Sequence, residues 1–155
     1  MSVSPKLRKQ INVELEQLNL LLKHYLELFE KCKNELPNFI EISALAGFLH
    51  SFYSGVENIF KRISIEVDKN FTKGEAWHTH LLGSMVRPQK NRLPVITEQM
   101  HNKLKDYLDF RHMFRHAYTF ELKWNKMKSL VLNAEKVLRQ LEDELKIFIS
   151  AIESK

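Results

Sequence analysis

The sequence has few of the residues that cross-link a chain or interrupt its helices. Its 155 residues include one cysteine, four glycines and four prolines. Because Cys32 has no second cysteine to pair with, an intrachain disulfide and a cysteine-based zinc site are both excluded, which fits a reducing cytoplasm. The scarcity of glycine and proline leaves few positions where strands could turn, so the composition favours an all-α protein.

Long apolar runs and targeting signals are lacking as well. No stretch approaches the roughly 20 apolar residues that a membrane-spanning helix requires. The residues that follow Met1 continue into an amphipathic pattern, whereas a signal peptide would have an apolar core there. We therefore expect a soluble, cytoplasmic protein without a membrane segment. Internal repeats, low-complexity tracts and linkers are also missing, so we expect residues 1–155 to form a single domain.

Apolar residues recur at spacings of three and four over four long segments, which predicts an antiparallel bundle of four to five helices. Ser4, Asn38 and Thr97 precede the first three of these segments and are suited to cap their helices. Glu41 stands three residues after Asn38, in the position of a capping box. Within the second helix, the small residues Ala44, Gly47, Ser51, Gly55 and Asn58 form a row. Such a row indicates either tight packing in the bundle or a dimer contact or cleft floor.

Residues 70–96 form the least regular part of the chain. Their length makes them a candidate binding or lid segment, with one short helix predicted around residues 77–85. His78 and His80 lie here, two residues apart and without other metal-ligand residues nearby in sequence. We predict that they are surface or packing histidines without a metal.

The most unusual stretch is residues 110–118, which contains two arginines, two histidines, two phenylalanines and a tyrosine but no acid. Burying unpaired cations is costly, so we expect much of this cluster to be exposed. The net charge is +5, and residues 87–116 hold seven Lys and Arg residues against three acids. This excess of positive charge favours a phosphate ligand such as a nucleic acid. A solvated basic surface that maintains solubility explains the charge equally well.

Several chemistries fit the cluster. His112 and His116 have the spacing of a two-histidine metal site, but Arg111 and Arg115 flank them and no acid nearby completes the ligand set. Alternatively, a histidine removes the proton of a ribose 2′-hydroxyl while an arginine stabilises the attacked phosphate.

Two further interpretations remain open on the residues alone. The cluster could bind RNA or a nucleotide without cleaving it, with Phe110, Phe114 or Tyr118 stacking on bases. It could also be a plain helix end, whose cations bind backbone carbonyls and acids elsewhere. On an ideal helix Arg111 and His116 stand about 140° apart. We therefore expect either a break in the helix between His116 and Thr119, or a cleft shared by two copies of the chain.

Arg111, His116 and Tyr118 match an R-x4-H-x-Y signature, and in this the chain resembles the HepT toxins of the HEPN superfamily. Residues 55–59, 77–82 and 110–122 are also similar to those proteins. The resemblance implies a HEPN-like bundle that acts as a homodimer, with two copies of the motif in one composite cleft. It also implies a metal-independent endoribonuclease without a cofactor, acting on tRNA or mRNA, in which Arg111 and His116 are catalytic.

The same resemblance implies roles for other residues and a protein partner. His112 would assist in positioning the substrate, and we infer independently that Arg115 contacts a phosphate. The partner would be a nucleotidyltransferase antitoxin of the MNT class, which uses ATP to attach AMP to Tyr118. The alternatives are a non-catalytic RNA- or nucleotide-binding helical adaptor, or a structural dimerisation protein.

Overall fold

Five α-helices make up most of the chain in the computed structural model, which describes residues 5–154. Helix α1 spans Pro5–Cys32, α2 Phe39–Ile63, α3 Trp77–Met85, α4 Glu98–Phe114 and α5 Trp124–Glu153. Over residues 5–154 there is no β-strand, only an isolated bridge between Gln89 and Arg92. The predicted all-α bundle is therefore confirmed. The predicted cap Ser4 lies outside the described residues.

The predicted caps of α2 and α4 form as the sequence indicates. Asn38 Oδ1 accepts a hydrogen bond from the backbone N–H of Glu41, and Glu41 Oε1 accepts one from the backbone N–H of Asn38, both at 2.9 Å. Thr97 Oγ1 accepts from the backbone N–H of Met100 at 3.1 Å, and Glu144 of α5 binds both the N–H and the hydroxyl of Thr97. These bonds satisfy N–H groups that a helix start leaves unpaired, and the second also joins α4 to α5.

Helix α2 lies at the centre of the bundle and packs against α1, α3, α4 and α5. The apolar stripes predicted for the long helices face one continuous core, in which Phe48, Phe52 and Phe60 of α2 are fully buried. Contrary to the expectation that no stretch is apolar enough, the helical stretch Phe39–Asp68 passes the test of length and composition for a membrane span, with a mean hydropathy of 1.2 over its most apolar 18 residues. The buried core helix of a soluble protein passes the same test, so this similarity is weak support for a membrane segment.

The row of small residues on α2 divides into a packed end and an open end. A Cβ atom at Gly55 would lie 2.6 Å from Cδ2 of Leu18, so this glycine allows α1 to approach α2 closely. A Cβ atom at Gly47 would meet nothing within 4 Å, and Ser51 is exposed. Bundle packing thus explains Gly55. A dimer contact at the open end stays a prediction.

A buried arginine anchors the connection that follows α3. Arg92 is 3% exposed, and its Nε and Nη2 donate to the two carboxylate oxygens of Asp68 at 2.6 and 2.8 Å. The same guanidinium donates to the carbonyls of Ser84, Arg87 and Leu93. Asp68 ends a π-helical turn, Ser64–Asp68, that extends α2. The hydrogen bonds of Arg92 therefore hold the chain that follows α3 against the end of α2. The short helix predicted around residues 77–85 is confirmed as α3.

Candidate functional site

Helix α4 delivers the arginine of the motif and ends before the histidine. The backbone N–H of Arg115 donates to the carbonyl of Arg111 at 3.1 Å, and that of His116 donates to Met113 at 3.1 Å. The second bond spans only three residues, which tightens the last turn and ends the helix at Phe114. The break predicted between His116 and Thr119 was therefore placed wrongly. Since His116 lies beyond the helix, the 140° separation expected from continuous helical geometry does not apply.

A buried carboxylate organises the inner side of the site. Glu57 of α2 is 4% exposed, and its Oε2 lies 2.6 Å from Nδ1 of His78 on α3. Its Oε1 lies 3.4 Å from Nη1 of Arg111 on α4. Because the carboxylate can only accept, Nδ1 of His78 carries the hydrogen and donates it to Glu57. One acid thereby joins the three helices α2, α3 and α4.

Sequence reasoning missed two members of this group. His78 was predicted to be a surface or packing histidine, and Glu57 was included only in the similar stretch 55–59, without a role. His78 lies between the ring of Trp77, 3.7 Å away between centroids, and that of His112, 5.9 Å away. Its Nδ1 is also 3.2 Å from Nη1 of Arg111. The available signal was Glu57 itself, a carboxylate on a helix whose neighbouring positions are apolar, because a buried charge requires a partner.

Two histidines beside the arginines have lowered pKa values. The ring of His50 on α2 lies 5.8 Å from that of Phe114, and its Nδ1 is buried without a hydrogen-bond partner among residues 5–154. Burial, followed by the charges of Arg111 and Arg115, lowers the pKa of His50. Partial burial and the neighbouring His78 and Arg111 lower the pKa of His112. Both imidazoles are therefore neutral at pH 7 and able to accept a proton.

The outer side of the site is an open groove of about 410 Å³. His112 and His116 line it together with Lys123 and Lys126. Arg111 does not line this groove, since its guanidinium turns towards Glu57. The structure thus brings His112 and His116 into one groove and holds Arg111 beside it.

The remaining predicted site residues are exposed. The side chain of Arg115 faces solvent at the end of α4. Tyr118 is 71% exposed, and its ring stacks on that of Phe120 with centroids 5.3 Å apart and planes 8° from parallel. Within residues 5–154, no three His, Cys, Asp or Glu side chains are grouped as metal ligands.

The chain is assigned to a protein family by a family model, because the geometry of the site alone does not identify the family. The model for HepT-like proteins matches residues 44–152, which include most of α2 and all of α3, α4 and the motif. The chain belongs to the HepT-like family. Membership in this family of the HEPN superfamily agrees with the all-α fold. No curated protein and no solved structure matches the chain. The resemblance drawn from the R-x4-H-x-Y motif is thereby confirmed, whereas the roles of the individual residues stay predictions.

Proposed function

We propose that this HepT-like protein is a metal-independent endoribonuclease toxin that acts in the cytoplasm on tRNA or mRNA. The observation that carries the proposal is the pair of histidines in one open groove beside an arginine held by a buried acid. His116 is exposed, and His112 is neutral at pH 7 because its pKa is lowered. The groove therefore offers a group that can accept a proton and space for a flexible polyanion.

The chemistry uses general acid–base catalysis at a phosphodiester. One imidazole removes the proton of a ribose 2′-hydroxyl, whose oxygen attacks the adjacent phosphorus and displaces the 5′-oxygen of the next nucleotide. A protonated group then supplies a hydrogen to that leaving oxygen. Arg111 stabilises the negative charge that builds on the phosphate, His112 positions the substrate and Arg115 contacts a neighbouring phosphate.

In one copy of the chain Arg111 and His116 do not line the same groove, and a homodimer would bring them together. The Arg111 side chain is only 12% exposed and does not line the groove that contains His116. In the dimer that we propose, the motifs of two chains meet, and the arginine and histidine face one phosphate. The open end of α2 at Gly47 and Ser51 is compatible with such a contact, because an added Cβ atom at Gly47 meets no neighbour.

An MNT-class nucleotidyltransferase would neutralise the toxin by attaching AMP from ATP to Tyr118. The tyrosine is 71% exposed, which gives a modifying enzyme access to its hydroxyl. Each AMP adds bulk and negative charge close to Arg115 and His116. The added charge would repel RNA phosphates from the groove.

The test is cleavage of total tRNA and of mRNA by the purified protein in EDTA. The wild type is compared with His116→Ala and with His24→Ala, a matched exposed histidine on α1. We expect cleavage by the wild type and the His24 variant and none by the His116 variant. Intact mass must first establish that Tyr118 is unmodified. Unmodified wild-type protein that cleaves neither RNA would refute the proposal.

The second candidate function is a non-catalytic RNA- or nucleotide-binding adaptor. The stacked and exposed pair Tyr118 and Phe120 favours it, because aromatic side chains next to cations bind unpaired bases without any chemistry. In that case the unmodified wild type binds RNA in a salt-dependent manner and does not cleave it. His116→Ala then weakens binding at most.

A further inference from the structure

Two lysines are held over one tryptophan next to the site. The ammonium of Lys61 on α2 lies 5.5 Å from the centroid of the Trp77 ring, and that of Lys73 lies 5.6 Å from the same centroid. Attraction between a cation and the face of an aromatic ring fixes both side chains. Because both nitrogens lie near one ring centroid, two positive charges are concentrated around Trp77.

Neither of these two lysines is ion-paired with an acid in the part of the chain that the structure describes. Glu57 precedes Lys61 by four residues on α2, which is the favourable arrangement for an ion pair. That carboxylate is occupied by His78 and Arg111 instead. Within residues 5–154, neither Lys61 nor Lys73 forms an ion pair with an acid. Two ammonium groups around one ring without a paired carboxylate form a site that an external anion would stabilise.

The two lysines are connected to the proposed catalytic residues by direct ring contacts. The rings of Trp77 and His78 are tilted by 31° with centroids 3.7 Å apart, and His78 contacts both His112 and Arg111. A cavity of about 240 Å³ opens beside the Trp77 ring and is lined mainly by polar side chains, Arg87 among them. These contacts place the two lysines next to the group formed by Arg111, His78 and His112.

We propose that Lys61 and Lys73 bind phosphates of the RNA strand that flanks the cleavage site. This inference rests on the proposed function, and it assigns the path that the strand follows on leaving the groove. A polyanion fits the observations better than a single ion, because the contacts of Trp77 with His78 and of His78 with Arg111 place the two ammonium groups next to the residues that we propose act on an RNA phosphate.

The experiment measures binding separately from cleavage. Fluorescence anisotropy follows the affinity for a single-stranded 2′-O-methyl RNA, which lacks the attacking hydroxyl, over a range of KCl concentrations. Lys61→Gln/Lys73→Gln is compared with Lys9→Gln/Lys23→Gln, which removes the same charge from exposed positions of α1. The slope of log affinity against log salt should fall by about 1.4 in the first variant, at about 0.7 per phosphate contact. The slope of the control should match the wild type, and Lys61→Arg/Lys73→Arg should keep the wild-type slope.

Each outcome separates the two proposals. If the wild type cleaves unmodified RNA but Lys61→Gln/Lys73→Gln has the same salt slope as the wild type, this inference is overturned and the nuclease proposal stands. An equal fall of the slope in Lys61→Gln/Lys73→Gln and in Lys9→Gln/Lys23→Gln would also overturn it, because the effect would then reflect net charge alone. A fall of the slope in Lys61→Gln/Lys73→Gln alone, without cleavage of RNA by the wild type, would support the RNA contact and refute the nuclease. A wild type that neither binds nor cleaves RNA would refute both, and the lysines would then be candidates for an acidic protein surface.

Discussion

Replacing Glu57 tests whether the buried carboxylate holds the site together. The Glu57 side chain is 5% exposed, and those of its partners Arg111 and His78 are 12% and 14% exposed. Glu57→Gln keeps the volume but removes the charge, so the guanidinium remains in a largely buried position without its counter-ion. Removing one partner of a buried ion pair costs about 3–5 kcal/mol. Because these partners retain some contact with water and glutamine can still accept one hydrogen bond, we expect a loss of about 2–4 kcal/mol in the free energy of unfolding.

The assay is urea unfolding followed by circular dichroism at a fixed protein concentration, because dimerisation would make stability depend on concentration. Glu27→Gln, an exposed acid on α1 without an ion pair in the described structure, serves as the control. Its stability should stay within about 0.5 kcal/mol of the wild type. A Glu57→Gln variant as stable as this control would refute the assignment of a buried ion pair.

A double-mutant cycle sharpens the same test. Arg111→Met removes the cation that Glu57→Gln leaves unpaired, so the double variant should be more stable than the sum of the two single losses predicts. We expect a coupling energy of at least about 1 kcal/mol, as found for residues in one charged network. Additive losses would mean that Glu57 and Arg111 do not depend on each other. RNA cleavage should also fall in Glu57→Gln, because the guanidinium loses the contact that orients it.

Three further predictions concern packing, pH and modification. Gly55→Ala should destabilise the protein by about 1–3 kcal/mol in the same urea assay, because its Cβ meets the buried Leu18. Gly47→Ala should stabilise it by about 0.5–1 kcal/mol, because an added Cβ meets no neighbour there. The reverse order of stabilities would contradict the packing of α1 on α2. Since the pKa of His50 is lowered in the folded state, the unfolded chain binds its proton first, so stability should be full above about pH 6.5 and fall as pH drops below it. His50→Gln should weaken this dependence of stability on pH. The same dependence in the variant and in the wild type would disprove its assignment to His50. Tyr118→Phe should prevent any gain in mass when the protein is incubated with the cognate nucleotidyltransferase and ATP, and modification of this variant would place the acceptor elsewhere.

Local sequence patterns determine the helices and their starts. The caps at Asn38 and Thr97 form between residues three positions apart, so the sequence contains both partners of each bond. The apolar stripes predict the buried faces for the same reason, since helical periodicity is a property of neighbouring residues. The spacing of Arg111, His116 and Tyr118, together with the similarity of residues 55–59, 77–82 and 110–122, indicated the HepT-like family, which the family model confirms.

The interior of the site depends on contacts that no local pattern contains. Glu57 is 21 residues from His78 and 54 residues from Arg111 along the chain. A sequence shows that a buried acid needs a partner, but only the packing of α2, α3 and α4 decides which cations reach it. The end of α4 was misjudged because backbone bonds in its last turn, at Arg115 and His116, decide where the helix stops. Residue types and periodicity thus determined the bundle and the motif, whereas the arrangement of charges around Arg111 required the tertiary structure, because electrostatic partners are chosen by distance in space.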